Sequence, residues 1–261
     1  MEIVDGLREA WSGVIGDLEA LELSGWDRAT PCEGWTVHDV AAHLGHLEGL
    51  AHGFTQPPTP EDFDPDRFEG FHRLTEEGVA ARRILPHDAV LDEIRRASQL
   101  TVDQAAGRDE AAWSEPAPSP VGMVAAHQAA DLRLADVYVH LLDIRQALGI
   151  DIDPNREPAA SRLTVARALR LAGWGAVKQA GLPEGTRIGL AIDGSGADLV
   201  IEGGRGNLVP AAPDTDDRIT GSGLAFLVAA AGRRGKIPGA GELEVAGEAA
   251  RRFLSGYRLF L

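Results

Sequence analysis

Apolar side chains recur at helical spacing through the first 150 residues. In residues 1–24 they fall every three or four positions, which predicts an amphipathic helix that ends near Gly25. Proline-rich segments at 55–70 and 115–120 predict exposed loops between the later helices. The same periodicity predicts helices over about 37–52, 71–83, 87–106 and 121–148. This part of the chain is therefore expected to form a helical bundle.

The pattern changes after a linker at 151–158. A helix is predicted over about 159–181, after which apolar and polar positions alternate with period two. The glycine-rich segment 203–206 is interpreted as a turn. The predicted strands are 186–192, 197–202, 217–220 and 243–247, and the predicted later helices are 222–233 and 248–256. The fold class is thus α+β, with an all-helical domain over 1–150 and a smaller α+β domain over 158–261.

Two histidine-containing helical segments, about a hundred residues apart, carry the main chemical signal. Asp136 and His140 are four residues apart, so their side chains leave the same helical face one turn apart. Joined by His43 from another helix, they would form a metal site with three protein ligands. Such a site keeps one position open for water, substrate or thiolate, which is the pattern of catalytic zinc. The alternative is a hydrogen-bonded Asp136–His140 pair and an ordinary half-buried His43.

The spacing of residues along the chain does not decide the roles of four further residues. His46, one turn beyond His43, is either a fourth ligand or a histidine outside the site. Asp143 either orients a ligand histidine or forms a surface salt bridge. Cys32 lies in a loop before a helix, and we interpret it as a packing residue. No role is assigned to His127.

Composition excludes several classes of partner. The formal net charge of −15 and the pI of about 4.9 argue against binding to nucleic acids or to anionic membranes. A single cysteine excludes an intramolecular disulfide and fits a reducing compartment. With no evident signal peptide and no long apolar run, the expected location is the cytoplasm. The pattern does not specify an oligomeric state.

Three segments resemble one known family. Residues 30–44, which read TPCEGWTVHDVAAHL, resemble the amino-terminal signature of the mycothiol-dependent maleylpyruvate isomerase family, within the DinB-like superfamily. Residues 139–149 resemble its second histidine block, and 220–227 with Gly232-Arg233 resemble its smaller second domain. The resemblance covers nearly the whole chain. It implies an N-terminal DinB-like four-helix bundle followed by a small α+β domain that looks like sterol-carrier-type folds.

The resemblance also implies a set of site residues. In the family a divalent metal, zinc in the isomerase, is held at positions that correspond to His43, Asp136 and His140. The family usually has glutamate where this chain has Asp136, which is one methylene shorter, so either the helices lie closer or ligation is weaker or absent. Arg233 would bind a carboxylate of substrate or cofactor. Alternatively, Arg233 is a cation that stabilises the end of a helix.

The implied activity depends on an external thiol. Mycothiol would enter a cleft between the domains, be held as a thiolate at the metal and add to a small electrophilic substrate. In a cis–trans isomerase of a maleylpyruvate-like acid, addition to the double bond allows rotation before elimination; in an S-transferase the adduct is released. The alternatives are a non-catalytic small-molecule binding protein and a metal hydrolase that needs no thiol.

Overall fold

The computed structural model describes residues 2–58, 70–212 and 215–260. Helices and a sheet are both present, so the predicted α+β class is confirmed. The proline-rich loop predicted at 55–70 lies mostly outside the described residues. The helices are α1 (Glu2–Glu19), α2 (Val37–Ala51), α3 (Gly70–Arg82), α4 (His87–Ala106), α5 (Ala126–Leu148), α6 (Pro158–Lys178), α7 (Gly223–Ala230) and α8 (Glu248–Gly256). The strands are β1 (Pro116–Ser119), β2 (Gly122–Ala125), β3 (Arg187–Ile192), β4 (Ser195–Glu202), β5 (Arg205–Pro210), β6 (Arg218–Gly221) and β7 (Glu244–Ala246).

The chain divides into two compact units. The first unit comprises Met1–Asp151 with Glu157–Ala160, and the second unit comprises Ile152–Arg156 with Ser161–Leu261. In the first unit α1 packs against α4 and α5, while α2 packs against α3, α4 and α5. The first unit is therefore a bundle in which α2 and α5, the two histidine-bearing helices, are direct neighbours.

Helix α2 lies at the centre of this bundle because small residues let its neighbours approach. A Cβ atom on Gly45 would lie 3.4 Å from Ile94 of α4, and one on Gly49 would lie 2.7 Å from the Glu93 carboxylate. Ten consecutive residues at the start of α2, residues 37–46, are buried. Close packing of this kind fixes the rotation of α2 and with it the direction of every α2 side chain.

Residues 116–125 form a β-hairpin, whereas the sequence predicted a loop followed by the start of a helix. Strands β1 and β2 pair antiparallel, with Ser119 opposite Gly122 at the tip. The prediction of helix over 121–125 is therefore wrong, and α5 begins at Ala126. Gly122 has φ of +100°, a conformation that glycine adopts far more readily than other residues and that a right-handed helix excludes.

The second unit is built on a five-stranded sheet of order β5-β4-β3-β6-β7. Strands β3 and β6 are parallel, whereas the other neighbours are antiparallel. Strand β5 was not predicted from the sequence, because only Gly203 and Gly204 form the turn and the chain resumes extended structure at Arg205. Helix α7 is buried along its whole length. Within the residues that the structure describes, no helix is long and apolar enough to span a membrane.

Candidate metal centre

The start of α2 is fixed by a reciprocal cap. The Thr36 hydroxyl accepts a hydrogen bond from the Asp39 amide at 3.2 Å, and the Asp39 carboxylate accepts one from the Thr36 amide at 3.0 Å. This capping box satisfies backbone donors that would otherwise lack partners at the helix start. His43 follows two turns later, so the cap also sets its position along the helix.

His43, Asp136 and His140 meet at one point of the first unit. Each offers a ligand atom, and these atoms lie within 4.8 Å of one another. His43 Nε2 is 3.4 Å from an Asp136 oxygen, and His140 Nε2 is 3.6 Å from Asp136 Oδ1. The pair on α5 follows from the i, i+4 spacing, whereas His43 is 93 residues away from Asp136 in the chain. All three positions expected from the sequence are therefore brought together.

The His140 ring is oriented by a buried carboxylate. His140 Nδ1 lies 3.1 Å from Asp143 Oδ2, and the Asp143 side chain is fully buried. Because a carboxylate only accepts hydrogen bonds, Nδ1 donates its proton to Asp143, so in the neutral form of the ring the lone pair is on Nε2. That lone pair is on the side of the ring that faces Asp136. Of the two readings of Asp143, orientation of a histidine agrees with this geometry and a surface salt bridge does not.

Burial sets the charge of the cluster. Burial lowers the pKa of His43 to about 4, and this effect exceeds the opposing attraction of Asp136, so the ring is neutral at pH 7. Burial alone would raise the pKa of Asp136, but His43, His140 and Arg133 outweigh it and hold that pKa below its usual value. A neutral imidazole and an ionised carboxylate are the forms in which these groups bind metal.

Trp35 forms one wall of the cluster. Its ring centre is 5.1 Å from that of His43 and 5.9 Å from that of His140. The indole Nε1–H donates to Glu76 of α3 at 3.3 Å, which fixes the ring against both histidines. Sequence analysis did not assign Trp35 a role at the site; its place one residue before the Thr36 cap was the available signal.

The other residues singled out from the sequence lie elsewhere. His46 is buried but outside the cluster, with Nδ1 at 2.8 Å from Gln56 Oε1, so it is not a fourth ligand among the described residues. His127 Nδ1 lies 3.1 Å from the Trp113 carbonyl oxygen. Cys32 is half-buried in its loop. In the second unit Arg233 donates to the Ala231 carbonyl at 3.0 Å, just beyond the end of α7, as expected of a cation at a helix end.

The donor set fits a divalent metal. Two imidazole nitrogens and a carboxylate oxygen are ligands that zinc and related ions accept, and three protein donors are typical of catalytic rather than structural zinc. His43 Nδ1 is buried and has no hydrogen-bond partner among the described residues. Among the described residues, Nε2 is therefore the nitrogen through which the His43 ring makes its polar contact in the cluster, with Asp136.

This architecture defines a class of proteins in which a helical bundle presents two histidines and a carboxylate and precedes an α+β unit. The chain belongs to the family of the mycothiol maleylpyruvate isomerase N-terminal domain, whose family model matches residues 7–145. The resemblance found in the sequence is thereby confirmed.

Known proteins similar to the chain include a relative and two solved structures. An uncharacterized protein of Mycobacterium tuberculosis is 29% identical over 163 residues, which cover 62% of this chain and 74% of that protein. A crystal structure of the mycothiol-dependent maleylpyruvate isomerase matches with a TM-score of 0.62 at 21% identity, over 94% of this chain and 91% of that one. A histidine-to-alanine mutant of that enzyme matches with a TM-score of 0.60 at 21% identity, over 90% of each chain. At this identity the likeness shows the shared fold.

Proposed function

We propose that the chain is a metal-dependent enzyme that uses a low-molecular-weight thiol, mycothiol, on a small electrophilic substrate. The observation that carries the proposal is the cluster of His43, Asp136 and His140, whose donor atoms lie within 4.8 Å of one another. Three donors bind a metal firmly and keep a coordination position for an external ligand. Zinc is the metal we expect, because the donors are two imidazoles and one carboxylate.

Each residue of the cluster has a distinct part. His43 is neutral at pH 7 and presents Nε2, while Asp143 holds His140 with its Nε2 lone pair toward the same point. Asp136 supplies the negative charge. A divalent metal held there would lower the pKa of a bound thiol and keep it as the nucleophilic thiolate. Trp35 covers one side of the cluster and limits access of water there.

The nucleophile is expected to come from outside the protein. The chain has one cysteine, Cys32, and it lies outside the cluster of candidate ligands. The thiolate would add to an electrophilic carbon. In an isomerase of a maleylpyruvate-like acid, the bond order between the former alkene carbons falls to one, rotation follows, and elimination returns the thiol. In an S-transferase the thioether is the product. Family membership supports a mycothiol-dependent reaction and does not decide between these two.

Arg233 is our candidate for binding a carboxylate of the substrate or of the thiol cofactor. Its Nη1 donates to the Ala231 carbonyl oxygen at 3.0 Å, and a guanidinium is suited to bind a carboxylate through two parallel N–H bonds. Arg233→Lys is expected to raise KM about 10-fold, as loss of a two-point contact does. Arg234→Lys is the control, because it changes the neighbouring arginine. Equal KM values in the two variants would remove Arg233 from the site.

Metal content is the first test of the proposal. Elemental analysis of the purified protein is expected to find about one zinc per chain, and His140→Ala is expected to lose it. His127→Ala is the matched control, since His127 is on the same helix and lies outside the cluster. An absence of metal from the native protein, even after reconstitution with zinc, would refute the enzyme proposal and favour a small-molecule binding protein.

Thiol dependence is the second test. The zinc-loaded protein is mixed with a maleylpyruvate-like acid or with a small electrophile, with and without mycothiol, and products are followed by NMR. Turnover that requires mycothiol supports the proposal, and the product identifies isomerisation or S-transfer. Turnover of a hydrolysable substrate without any thiol would instead identify a metal hydrolase.

A further inference from the structure

A half-buried arginine lies directly behind the candidate carboxylate ligand. Arg133 precedes Asp136 by three residues on α5, so the two side chains are neighbours on one face of the helix. Its Nη1 donates to Asp136 Oδ2 at 2.7 Å. Its Nη2 donates to the Leu44 carbonyl of α2 at 3.1 Å, and the guanidinium lies over the Trp11 ring at 5.5 Å. The arginine is thus fixed on three sides.

Glu48 of α2 fixes the remaining side. Its carboxylate accepts a hydrogen bond from Arg133 Nε, and the Glu48 side chain is 2% exposed. The same carboxylate accepts a hydrogen bond from the Thr101 hydroxyl of α4, which in turn lies 2.7 Å from His52 Nε2. Arg133 is therefore held by a network that joins three helices and ends at Asp136.

We propose that Arg133 and Glu48 act as positioning residues that hold Asp136 as a one-oxygen metal ligand and so favour metals of low coordination number. This inference rests on the proposed metal binding by His43, Asp136 and His140. Among the described residues, Arg133 and Glu48 are the pair through which the bundle controls the orientation of the Asp136 carboxylate.

The bond from Arg133 distinguishes the two oxygens of Asp136. An unrestrained carboxylate can bind through one oxygen or through both. Both oxygens lie 3.4 Å from His43 Nε2, but Arg133 donates to Oδ2 at 2.7 Å, whereas Oδ1 is the oxygen that lies 3.6 Å from His140 Nε2. Binding through Oδ1 alone gives three donor atoms from three side chains. Zinc and cobalt accept such a set with one added ligand, while calcium and manganese prefer more oxygen donors.

The proposed effect of Arg133 and Glu48 on the metal site is not an effect of charge, because the pair is neutral overall. Glu48 cancels the positive charge of Arg133, so the pair adds no net charge beside Asp136. An arginine without Glu48 would instead repel the metal. We therefore infer that the pair acts on the orientation of the Asp136 carboxylate.

Because aspartate is short, its position depends on this support. Glutamate, which the resemblance implies for the family at this position, has one more methylene with which to reach across the bundle. In this chain Asp136 reaches its neighbours while its second oxygen is tied to Arg133. Loss of that tie would let the carboxylate rotate and bind through both oxygens or through neither.

The test removes the pair without changing net charge. The double variant Arg133→Met with Glu48→Gln replaces one cation and one anion and preserves approximate side-chain volume. The apoprotein is titrated with Co²⁺, whose visible d–d absorption is intense in four-coordinate tetrahedral sites and weak at higher coordination. We expect affinity about 10–100-fold weaker than in the unchanged protein, as for other residues that support ligands. We also expect weaker d–d absorption per bound ion.

A matched control comes from the same helix. Arg145 of α5 is buried and binds the Glu157 carboxylate through two bonds of 2.6 Å, but neither residue contacts the cluster. The variant Arg145→Met with Glu157→Gln therefore removes an equivalent ion pair. Its Co²⁺ affinity and spectrum are expected to match those of the unchanged protein, with folding of every variant checked by circular dichroism.

The outcomes distinguish failure of the proposed role of Arg133 and Glu48 from failure of the proposed function. Unchanged Co²⁺ affinity and spectrum in the Arg133/Glu48 variant would overturn the inference alone. Failure of the unchanged protein to bind Co²⁺ would overturn the metal site as well. If the double variant does not fold, Arg133→Lys decides, because lysine keeps the charge but cannot bridge both carboxylates in the same plane. A wild-type spectrum in that variant would overturn the inference, and a weakened one would support it.

Discussion

At the scale of single residues, the clearest asymmetry in the cluster is between its two histidines. His140 Nδ1 has a buried carboxylate partner in Asp143, whereas His43 Nδ1 has none among the described residues. The His140 tautomer is thus set by one hydrogen bond, whereas His43 contacts Asp136 through Nε2 and has no hydrogen bond among the described residues that holds a proton on Nδ1. Changes at Asp143 are therefore expected to act on the metal site through His140.

Asp143→Asn is expected to weaken zinc binding about 10–100-fold. The amide has nearly the shape of the carboxylate, but it can donate to Nδ1 and so favour the tautomer with its proton on Nε2, which cannot bind metal. Zinc affinity is measured by competition with a chelating dye. Asp17→Asn is the control, since Asp17 is an equally polar partner of Arg145 outside the cluster. Equal affinity in the two variants would contradict the role of Asp143.

The position of Trp35 makes it a reporter of metal binding. Its ring is within 6 Å of both histidine rings, whereas the other tryptophans do not contact His43 or His140 in the described structure. Added Co²⁺ is expected to quench part of the tryptophan fluorescence, and Trp35→Phe is expected to abolish most of that quenching. Trp174→Phe removes an exposed tryptophan of the second unit and should leave the quenching unchanged. The opposite pattern would place the ion elsewhere.

At the scale of helices, close approach between α2 and α3 depends on one glycine. A Cβ atom on Gly78 would lie 2.0 Å from the His46 ring, which is held by Gln56 and Arg82 and has little room to move. Gly78→Ala is expected to lower the free energy of unfolding by about 1–3 kcal/mol through overpacking. Urea denaturation measures the change.

Gly16 provides the matching control for that prediction. It also lies inside a helix, α1, but a Cβ atom there would meet nothing within 4 Å. Gly16→Ala is expected to raise the free energy of unfolding by about 0.5–1 kcal/mol, because alanine loses less backbone freedom on folding. Destabilisation of similar size in both variants would show that contact with His46 is not the cause.

The helices also show which parts of the site a sequence can specify. Asp136 and His140 could be placed together from spacing alone, because both lie on one helix. His46 could not be distinguished from His43 in this way, because both are on α2. Only the folded structure shows that His46 contacts Gln56 and faces Gly78 of α3 instead of the cluster. Arg133 was missed for the same reason, since its partner Glu48 comes from another helix.

At the scale of the whole molecule, the sequence predicted the change from helices to sheet but not every strand. Alternation over 186–192 and 197–202 matched β3 and β4, because apolar side chains at every second position, Ile188 and Leu190 in β3 and Leu199 and Ile201 in β4, are buried. Strand β5 is an edge strand with an exposed pattern and starts within a glycine-rich segment, so it carries little of that signal. The β1–β2 hairpin was missed because helical and extended periods are hard to distinguish over four residues.

The division into two units predicts that metal acts on only one of them. The cluster belongs entirely to the first unit, where it joins α2 to α5. Zinc that binds the folded state and not the unfolded one stabilises it by about 2.7 kcal/mol at a free concentration one hundred times Kd. Hydrogen exchange followed by mass spectrometry is expected to slow in α2 and α5 peptides when zinc is added to the full chain. Exchange in β3 and β4 should not change.

Removal of the metal provides the converse of that experiment. A chelator is expected to restore fast exchange in α2 and α5, and in His140→Ala neither zinc nor chelator should change the rates. This follows because a ligand can protect only those segments whose opening breaks its site. Equal protection of the sheet and the helices would show that the chain opens as one cooperative unit. The metal would then stabilise the whole fold, although all of its candidate ligands lie in the bundle.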